Sequence, residues 1–342
     1  MKKRLKMLMR TNLQLFADMN TQTTGAAALS AEMKTYYDMT LIDLAEPELV
    51  HAQFGQKRPI PKNGGKIIEF RQFSSLPKAL TPLTEGVTPN GRSLDVTSKT
   101  AEVSQFGDYV TVSDMLELTA IDNVILETTK LIGSQAGRTM DTITRNILVG
   151  GTNVLYQPKA NGTEVTSRSA LDATCTLTPA TIRRAAGILK RMNAKTIEGK
   201  YVAIIHPDVA TDLMGTEEWQ NAQKHVHPEK IYNGEIGELY GVRFVETTEA
   251  KIWADADDDV PAGLAVYGCL FLGADAYGVT DITGGGLEHI VKQKGSAGTA
   301  DPLNQRSTIG WKENGYTACR LVEEYMLRVE CTSSMSASAE AN

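Results

Sequence analysis

Ser113–Leu148 reads SDMLELTAIDNVILETTKLIGSQAGRTMDTITRNIL. Its apolar residues recur at Leu118, Ile121, Ile125, Ile132, Ala136, Met140, Ile143 and Ile147, in steps that line one face of an α-helix. Ser113 stands in an N-cap position after strand-like Tyr109–Val112, and Gly150-Gly151 halts the pattern. A continuous helix over this stretch would measure about 54 Å at about 1.5 Å per residue. Gly133 and Gly137 are the places where it would bend.

Upstream of this helix the character changes. Lys66–Phe73 predicts a strand introduced by Asn63-Gly64-Gly65, and Ser93–Ser104 predicts its returning partner, rich in β-branched residues and thin in apolar ones. Between them Pro77, Pro82, Gly86, Pro89 and Gly91 mark a long loop. Such a hairpin has no core of its own, which is awkward in a compact monomer and reasonable if it buries its surface on a neighbour. Further upstream, residues 11–25 read as an extended arm, and Ala26–Leu44 as a short helix closed by Pro47.

Downstream, residues 152–177 read as irregular or short β structure. Thr178-Pro179 opens a second helix carrying Ile182, Ala186, Leu189 and Met192. Tyr201–Ile205 is a buried-strand run ended by His206-Pro207-Asp208, with Asp208 expected to cap the next short helix. Strands are expected at Val242–Glu246 and Leu264–Leu272, a long loop over 282–308, and one or two strands over Tyr316–Val329. The polar tail TSSMSASAEAN is expected to be disordered. The alternation is α+β or mixed α/β, without a regular βαβ rhythm.

At 342 residues the chain is long enough for roughly two domains, and 42% hydrophobic with 22% charged residues is a globular composition. The formal net charge is −6, the reverse of a dedicated nucleic-acid binder. Five basic residues, Lys2, Lys3, Arg4, Lys6 and Arg10, crowd the first ten positions, leaving the remainder at −11. Lys6 and Arg10 interrupt any secretory apolar run, and glycines break Val260–Ala274, so the chain reads as soluble and not exported, with no membrane partner. Cys175, Cys269, Cys319 and Cys331 form no C-x-x-C and read as reduced, mostly buried thiols suited to a cytoplasm.

Catalytic signatures are missing. There is no phosphate-binding G-x-x-x-x-G-K-[ST], no dinucleotide G-x-G-x-x-G between strand and helix, and no G-x-S-x-G elbow. Ser75-Leu-Pro-Lys78 matches S-x-x-K, but Pro77 breaks the helix that motif needs. His225-Val-His227, with Glu217, Glu218 and Glu229 nearby, reads first as two solvated histidines and second as metal ligands of an enzyme. Asp255, Asp257, Asp258 and Asp259 lack the calcium-loop glycine and closing glutamate; a solvated loop and an electrostatic contact between subunits both stay open. No catalytic, cofactor or metal residue is assigned.

Several segments in order resemble the major capsid protein of tailed bacteriophages, whose shell fold is shared with herpesvirus capsid floors and encapsulins. They are Asn12-Leu-Gln-Leu-Phe-Ala17; Leu83-Thr-Glu-Gly86 with Pro89; Val110–Leu116 leading into the long helix; Ile204–Asp208; Ile236–Val245; Leu264–Tyr277; and Gly310–Glu330. The resemblance implies an α+β capsid fold with an N-terminal arm over 1–50 and an extended hairpin loop over 51–112. A peripheral domain with a spine helix would take 113–174 and 300–332, an axial domain 175–299, and a flexible tail 333–342. It implies a structural protein, not an enzyme, that assembles through hexamers and pentamers into an icosahedral shell around double-stranded DNA in the host bacterial cytoplasm. The same fold leaves a compartment that encloses cargo enzymes as the alternative. The extended loop begins only about fifty residues in, which implies a separate scaffolding protein or none; portal and decoration proteins are the other implied partners. Arg71, Lys78, Glu85, Arg92, Asp255, Asp257 and Asp258 are the candidate inter-subunit contacts. Lys2, Lys3, Arg4, Lys6 and Arg10 are the candidates to touch scaffold or DNA. Some relatives crosslink a loop lysine to a distant asparagine; Lys57, Lys62, Lys66 and Lys78 are present, but the sequence names no partner for them.

Overall fold

The computed structural model describes residues 49–342 apart from 74–75, 84, 89, 120–123, 226–234, 255–258, 297 and 299–300. The arm, the helix expected over 26–44, the basic tip and the aspartate run at 255–258 lie outside the described residues.

The long helix is present as two segments, α1 (Asp114–Thr119) and α2 (Val124–Val149). Ser113 caps α1 as expected: its Oγ accepts the Leu116 N–H at 3.3 Å. At about 1.5 Å per residue α2 alone runs about 39 Å and passes through Gly133 and Gly137 unbroken. Its inward stripe holds Ile132, Ala136 and Met140, but also buried Asp141, Thr144 and Arg145, while Leu118 on α1 and Leu131 on α2 face outward.

Two large sheets and one small one build the molecule. The first large sheet contains β1 (Gln56–Lys57), β4 (Ser104–Ser113), β11 (Tyr277–Asp281), β12 (Glu288–Lys292) and β13 (Arg306–Arg320). β13 is its axis, pairing antiparallel with β4 along one edge and with β12 and β11 in turn along the other. The second contains β5 (Val154–Tyr156), β6 (Tyr201–Ile205), β7 (Glu235–Leu239), β8 (Val242–Glu246), β9 (Ile252–Trp253), β10 (Val266–Leu272) and β14 (Met326–Cys331), with β10 between β14 and β6. Helices α3 (Pro179–Arg191), α4 (Pro207–Met214) and α5 (Glu217–His225) follow in chain order. The small sheet is the expected hairpin, β2 (Ile67–Phe73) and β3 (Val96–Glu102), in register from Ile67↔Glu102 to Phe73↔Val96.

Period-2 alternation explains why the middle strands read as unbroken apolar runs. On β10, Tyr267, Cys269 and Phe271 join Ile182 and Leu189 of α3 and Leu213 of α4 in one core, while Val266, Leu270 and Leu272 join Met140 and Leu148 of α2 in another. β6 divides the same way, with Ala203 in the first core and Val202 and Ile204 in the second. A third cluster, Val112, Ile132, Ala136, Ile309 and Trp311, glues α2 to the first sheet. The four cysteines are free; Cys175, Cys269 and Cys331 are buried and Cys319 is half-buried.

Thr178 stands at the α3 N-cap with Pro179 in the first turn, as expected, and its hydroxyl lies 3.2 Å from that of Thr181. Three expectations are corrected. The cap of α4 is His206, not Asp208: the helix begins at Pro207, so Asp208 lies inside its first turn, where its N–H donates to the His206 ring Nδ1 at 3.2 Å and its carboxylate accepts from the Tyr267 hydroxyl at 2.6 Å. Residues 282–308 are not one loop, since they hold β12 and the start of β13, ten residues ahead of the Tyr316 start that the sequence suggested. Those strands hide because Gly310, Lys312, Glu313, Asn314 and Gly315 supply little apolar signal, and partners on both edges carry the pairing instead. The polar tail is docked. Ser334 donates to Asp212 from N (2.8 Å) and Oγ (2.5 Å), Ala265 N donates to Ser336 O at 3.0 Å, and Asn342 Nδ2 donates to Ala250 O at 2.8 Å. Small hydroxyl and amide side chains here satisfy backbone and carboxylate groups rather than water.

Candidate assembly surface

The hairpin starts from a fixed base. Phe70 is buried against the Gly278 backbone of β11, where a Cβ would stand 2.8 Å from its ring, and the Arg58 guanidinium lies 5.9 Å from the ring centroid. Val103 N donates to Lys66 O at 3.0 Å, closing the pair where the chain enters β4. Beyond this base the apolar side chains point into solvent. Ile67, Phe73, Leu76, Leu80, Leu83, Val87, Leu94 and Val96 are all exposed, Leu80 to 82%. Phe73 and Val96 are cross-strand partners on one face, and both are open. A concentration of this size on one element marks an interaction surface.

β4 carries the second surface. Its outer edge is exposed almost throughout, and Tyr109 and Val110 are open. With β13 and β12 it floors a groove of about 910 Å³ lined by Phe106, Tyr109, Ile290, Lys292, Arg306 and Trp311. Gly107 and Gly310 shape the floor: a Cβ on Gly310 would meet Asp108 O at 2.8 Å. Behind the groove, Gln135 of α2 donates to Asp108 at 2.7 Å and accepts from the Trp311 indole at 3.3 Å. The bond from Gln135, then that from the Tyr109 N–H, holds the Asp108 carboxyl below its ordinary range.

Buried polar pairs tie the elements of the body together. Asp141, fully buried on α2, accepts from the His51 backbone N–H and faces the His51 ring Nδ1, both at 2.6 Å. Tyr277 donates to His51 O, so the segment entering the fold is tied to α2 and β11 together. Glu330 on β14 is buried between Arg168 (2.8 and 2.9 Å) and Arg328 (2.9 Å), with the Trp253 ring 3.8 Å from the Arg168 guanidinium. Arg328 also donates to Val149 O and Gly151 O, capping the C-terminus of α2. Glu313 lies buried at the bulge of β13 with Oε1 unpartnered; burial, then Asp281, pushes its pKa up to about 7.

Arg71, Lys78, Glu85 and Arg92 are all exposed on the hairpin, where Arg71 faces Glu69 at 3.4 Å. Asp255, Asp257 and Asp258 lie outside the described residues, as do Lys2, Lys3, Arg4, Lys6 and Arg10. His225 ends α5 and His227 and Glu229 lie outside, while Glu218 accepts the Tyr240 hydroxyl at 2.9 Å. Among the described residues no group of three or more His, Cys, Asp or Glu is placed to hold a metal ion, and no helix is long and apolar enough to cross a membrane. His51–Asp141 and Arg168–Glu330 left no trace in the sequence, because their partners are 90 and 162 residues apart. The glycines at 107 and 310 were the one available signal for the groove.

A family of phage capsid proteins matches residues 96–324, about two thirds of the chain. The chain belongs to the phage capsid protein family. Its work is structural and non-enzymatic: a capsid protein builds the shell of the phage head, and its place is the virion capsid. The fold agrees at low sequence identity. It is similar to the capsid of Ralstonia phage GP4 (15% identity, 82% of this chain and 87% of that one, TM-score 0.62). It is also similar to the cyanophage Pam1 capsid asymmetric unit (15%, 82% and 89%, TM-score 0.60) and the mature capsid of bacteriophage PhiM1 (12%, 82% and 86%, TM-score 0.57). No curated protein matches the sequence. The family match begins at the first residue of β3, so most of this capsid protein's apolar hairpin lies ahead of it.

Proposed function

We propose that this capsid protein closes its shell by laying the 67–96 hairpin over a neighbouring copy. The carrying observation is the row of eight exposed large apolar residues from Ile67 to Val96, on an element anchored at its base by buried Phe70 and half-buried Ile68. Burying a Leu or Phe side chain fully is worth about 1.5–3 kcal/mol. A few such burials per subunit, repeated around closed rings, lock an assembly whose individual contacts are modest. Arg71, Lys78, Glu85 and Arg92 flank these residues and would set orientation and partner choice more than affinity.

The shell we infer is icosahedral, made of hexamers and pentamers, assembled in the host cytoplasm around double-stranded DNA, with a separate scaffolding protein and a portal. In this reading the first sheet with α2 forms a peripheral region and the second sheet with α3 and α4 an axial one. That division moves β5 and β14 to the axial side of the boundaries expected from sequence and β11 and β12 to the peripheral side, because the first two pair within the second sheet and the last two within the first.

The test is deletion of residues 74–92. The variant is expected to keep the secondary structure and unfolding midpoint of the full chain while forming no closed particles by negative-stain microscopy and sedimentation velocity. Normal shells from that variant would overturn the hairpin's role.

A further inference from the structure

Four Asn-Gly pairs lie among the described residues: Asn63-Gly64, Asn90-Gly91, Asn161-Gly162 and Asn314-Gly315. Such a pair can modify itself. The glycine backbone nitrogen attacks the asparagine side-chain carbonyl carbon, and a new C–N bond closes a succinimide ring while ammonia leaves. Water then opens the ring at either carbonyl, giving aspartate or isoaspartate. Water is the only co-reactant and ammonia the only product released. Glycine permits the attack because no side chain shields its nitrogen, but that nitrogen must be free to turn toward the side chain.

Three of the four are held. Gly64 N donates to Pro61 O at 2.8 Å, and Asn63 is locked in a left-handed turn at φ 67°. Gly162 N donates to Lys159 O at 2.8 Å. Asn314 N donates to Gly285 O at 3.0 Å, its side-chain oxygen accepts from Gln105 at 2.8 Å, and the Gly315 N–H is aimed at the Glu313 carboxylate. Gly315 is also packed so tightly that a Cβ would stand 2.5 Å from Ile282.

Asn90-Gly91 differs in each respect. Both residues are exposed, no heavy atom lies within 4 Å of where a Gly91 Cβ would be, and among the described residues no hydrogen bond engages either one. We propose that Asn90 is a self-modification site, converted to aspartate or isoaspartate in the folded, unassembled subunit. The conversion places a new negative charge between Glu85 and Asp95, beside Arg92, and in the isoaspartate form lengthens the backbone by one methylene. Its consequence for assembly rests on the hairpin's proposed role. Subunits that wait too long before entering a shell carry an altered closing loop, and incorporation under a neighbour protects the loop from further reaction.

The full chain, kept as unassembled subunits at mildly alkaline pH, is incubated natively and in urea and then mapped by peptide mass spectrometry with isoaspartate detection. In the native sample Asn90 is expected to convert at least about tenfold faster than Asn63, Asn161 and Asn314, whose held amides must first open locally. In urea the four rates are expected to converge within a few-fold. An Asn90 that keeps its amide in the native sample, or a held pair that converts as quickly, would overturn the site. Assembly of Asn90→Asp against Asn90→Gln tests the consequence separately: fewer shells from Asn90→Asp support it, and equal yields overturn it while leaving the chemistry intact.

Discussion

Glu313 sits buried on the longest strand with one carboxylate oxygen unpartnered, a costly place for a charge. Burial raises its pKa first, and Asp281 and Glu288 add to the rise, while the N–H groups of Gly315 and Asn314 lower it part-way back, leaving it at about 7. The folded chain therefore holds this proton more tightly than the unfolded chain, whose carboxyl titrates at the ordinary 4.5. The stability this group contributes is fully present below that ordinary value and is lost as pH rises through about 7. Over that interval the loss is of order 3 kcal/mol, at 1.36 kcal/mol per pKa unit. Glu313→Gln stays neutral at every pH and can still accept from the two backbone amides. The variant should match the native chain in urea unfolding at pH near 4 and exceed it by about 1–3 kcal/mol at pH near 8. A difference that does not change with pH would show that Glu313 is not the titrating group. Glu330 is buried as deeply but is paired on both sides, by Arg168 and Arg328. Removing it as Glu330→Ala leaves both guanidiniums without their carboxylate and should cost about 3–5 kcal/mol in the same measurement.

At the scale of elements, stability and assembly separate most cleanly on the hairpin. Leu80 and Leu83 are exposed and touch no core, so Leu80→Asp with Leu83→Asp should change the unfolding free energy by no more than about 0.5 kcal/mol. The same variant should fail to assemble, since each substitution puts a carboxylate where a neighbour would cover a leucine. Sedimentation velocity on subunits of unchanged melting temperature reads both halves at once; intact shells would remove the hairpin's apolar face from the mechanism. Elements with strong local signals were legible from sequence: the periodic helix, the strands at 201–205 and 242–246, and the Ser113 cap. β12 and the first half of β13 were not, because Gly310, Lys312 and Asn314 form a strand only through partners from distant sequence. The docked tail was missed for a related reason. Its serines and Asn342 look solvated in sequence, and only the fold supplies Asp212 and the Ala250 carbonyl. For the candidate surface, the long loop and its lack of a core were readable, while the groove on β4 needed the register that sets Gly310 opposite Tyr109.

The whole molecule carries −6, of which residues 1–10 contribute +5 and the rest −11. A container for packed DNA gains little from a basic lining, which would grip phosphates and resist their release. In the proposed DNA-filled shell, an acidic body with a short basic tip would confine attraction for polyanions to one segment. Five cations engaging a duplex release counterions in proportion to their number, so log K against log salt should fall with a slope of about −4.5, or about −3.5 on a single strand. Removing residues 1–10 should flatten that slope toward zero and abolish measurable binding at physiological salt, while the acidic body keeps its fold. Binding of a short fluorescent DNA to unassembled subunits, titrated across salt concentrations with and without those ten residues, decides the matter. A steep slope that survives the deletion would mean that the body itself presents a basic surface, and that the segregation of charge along the chain does not govern the proposed contact with DNA.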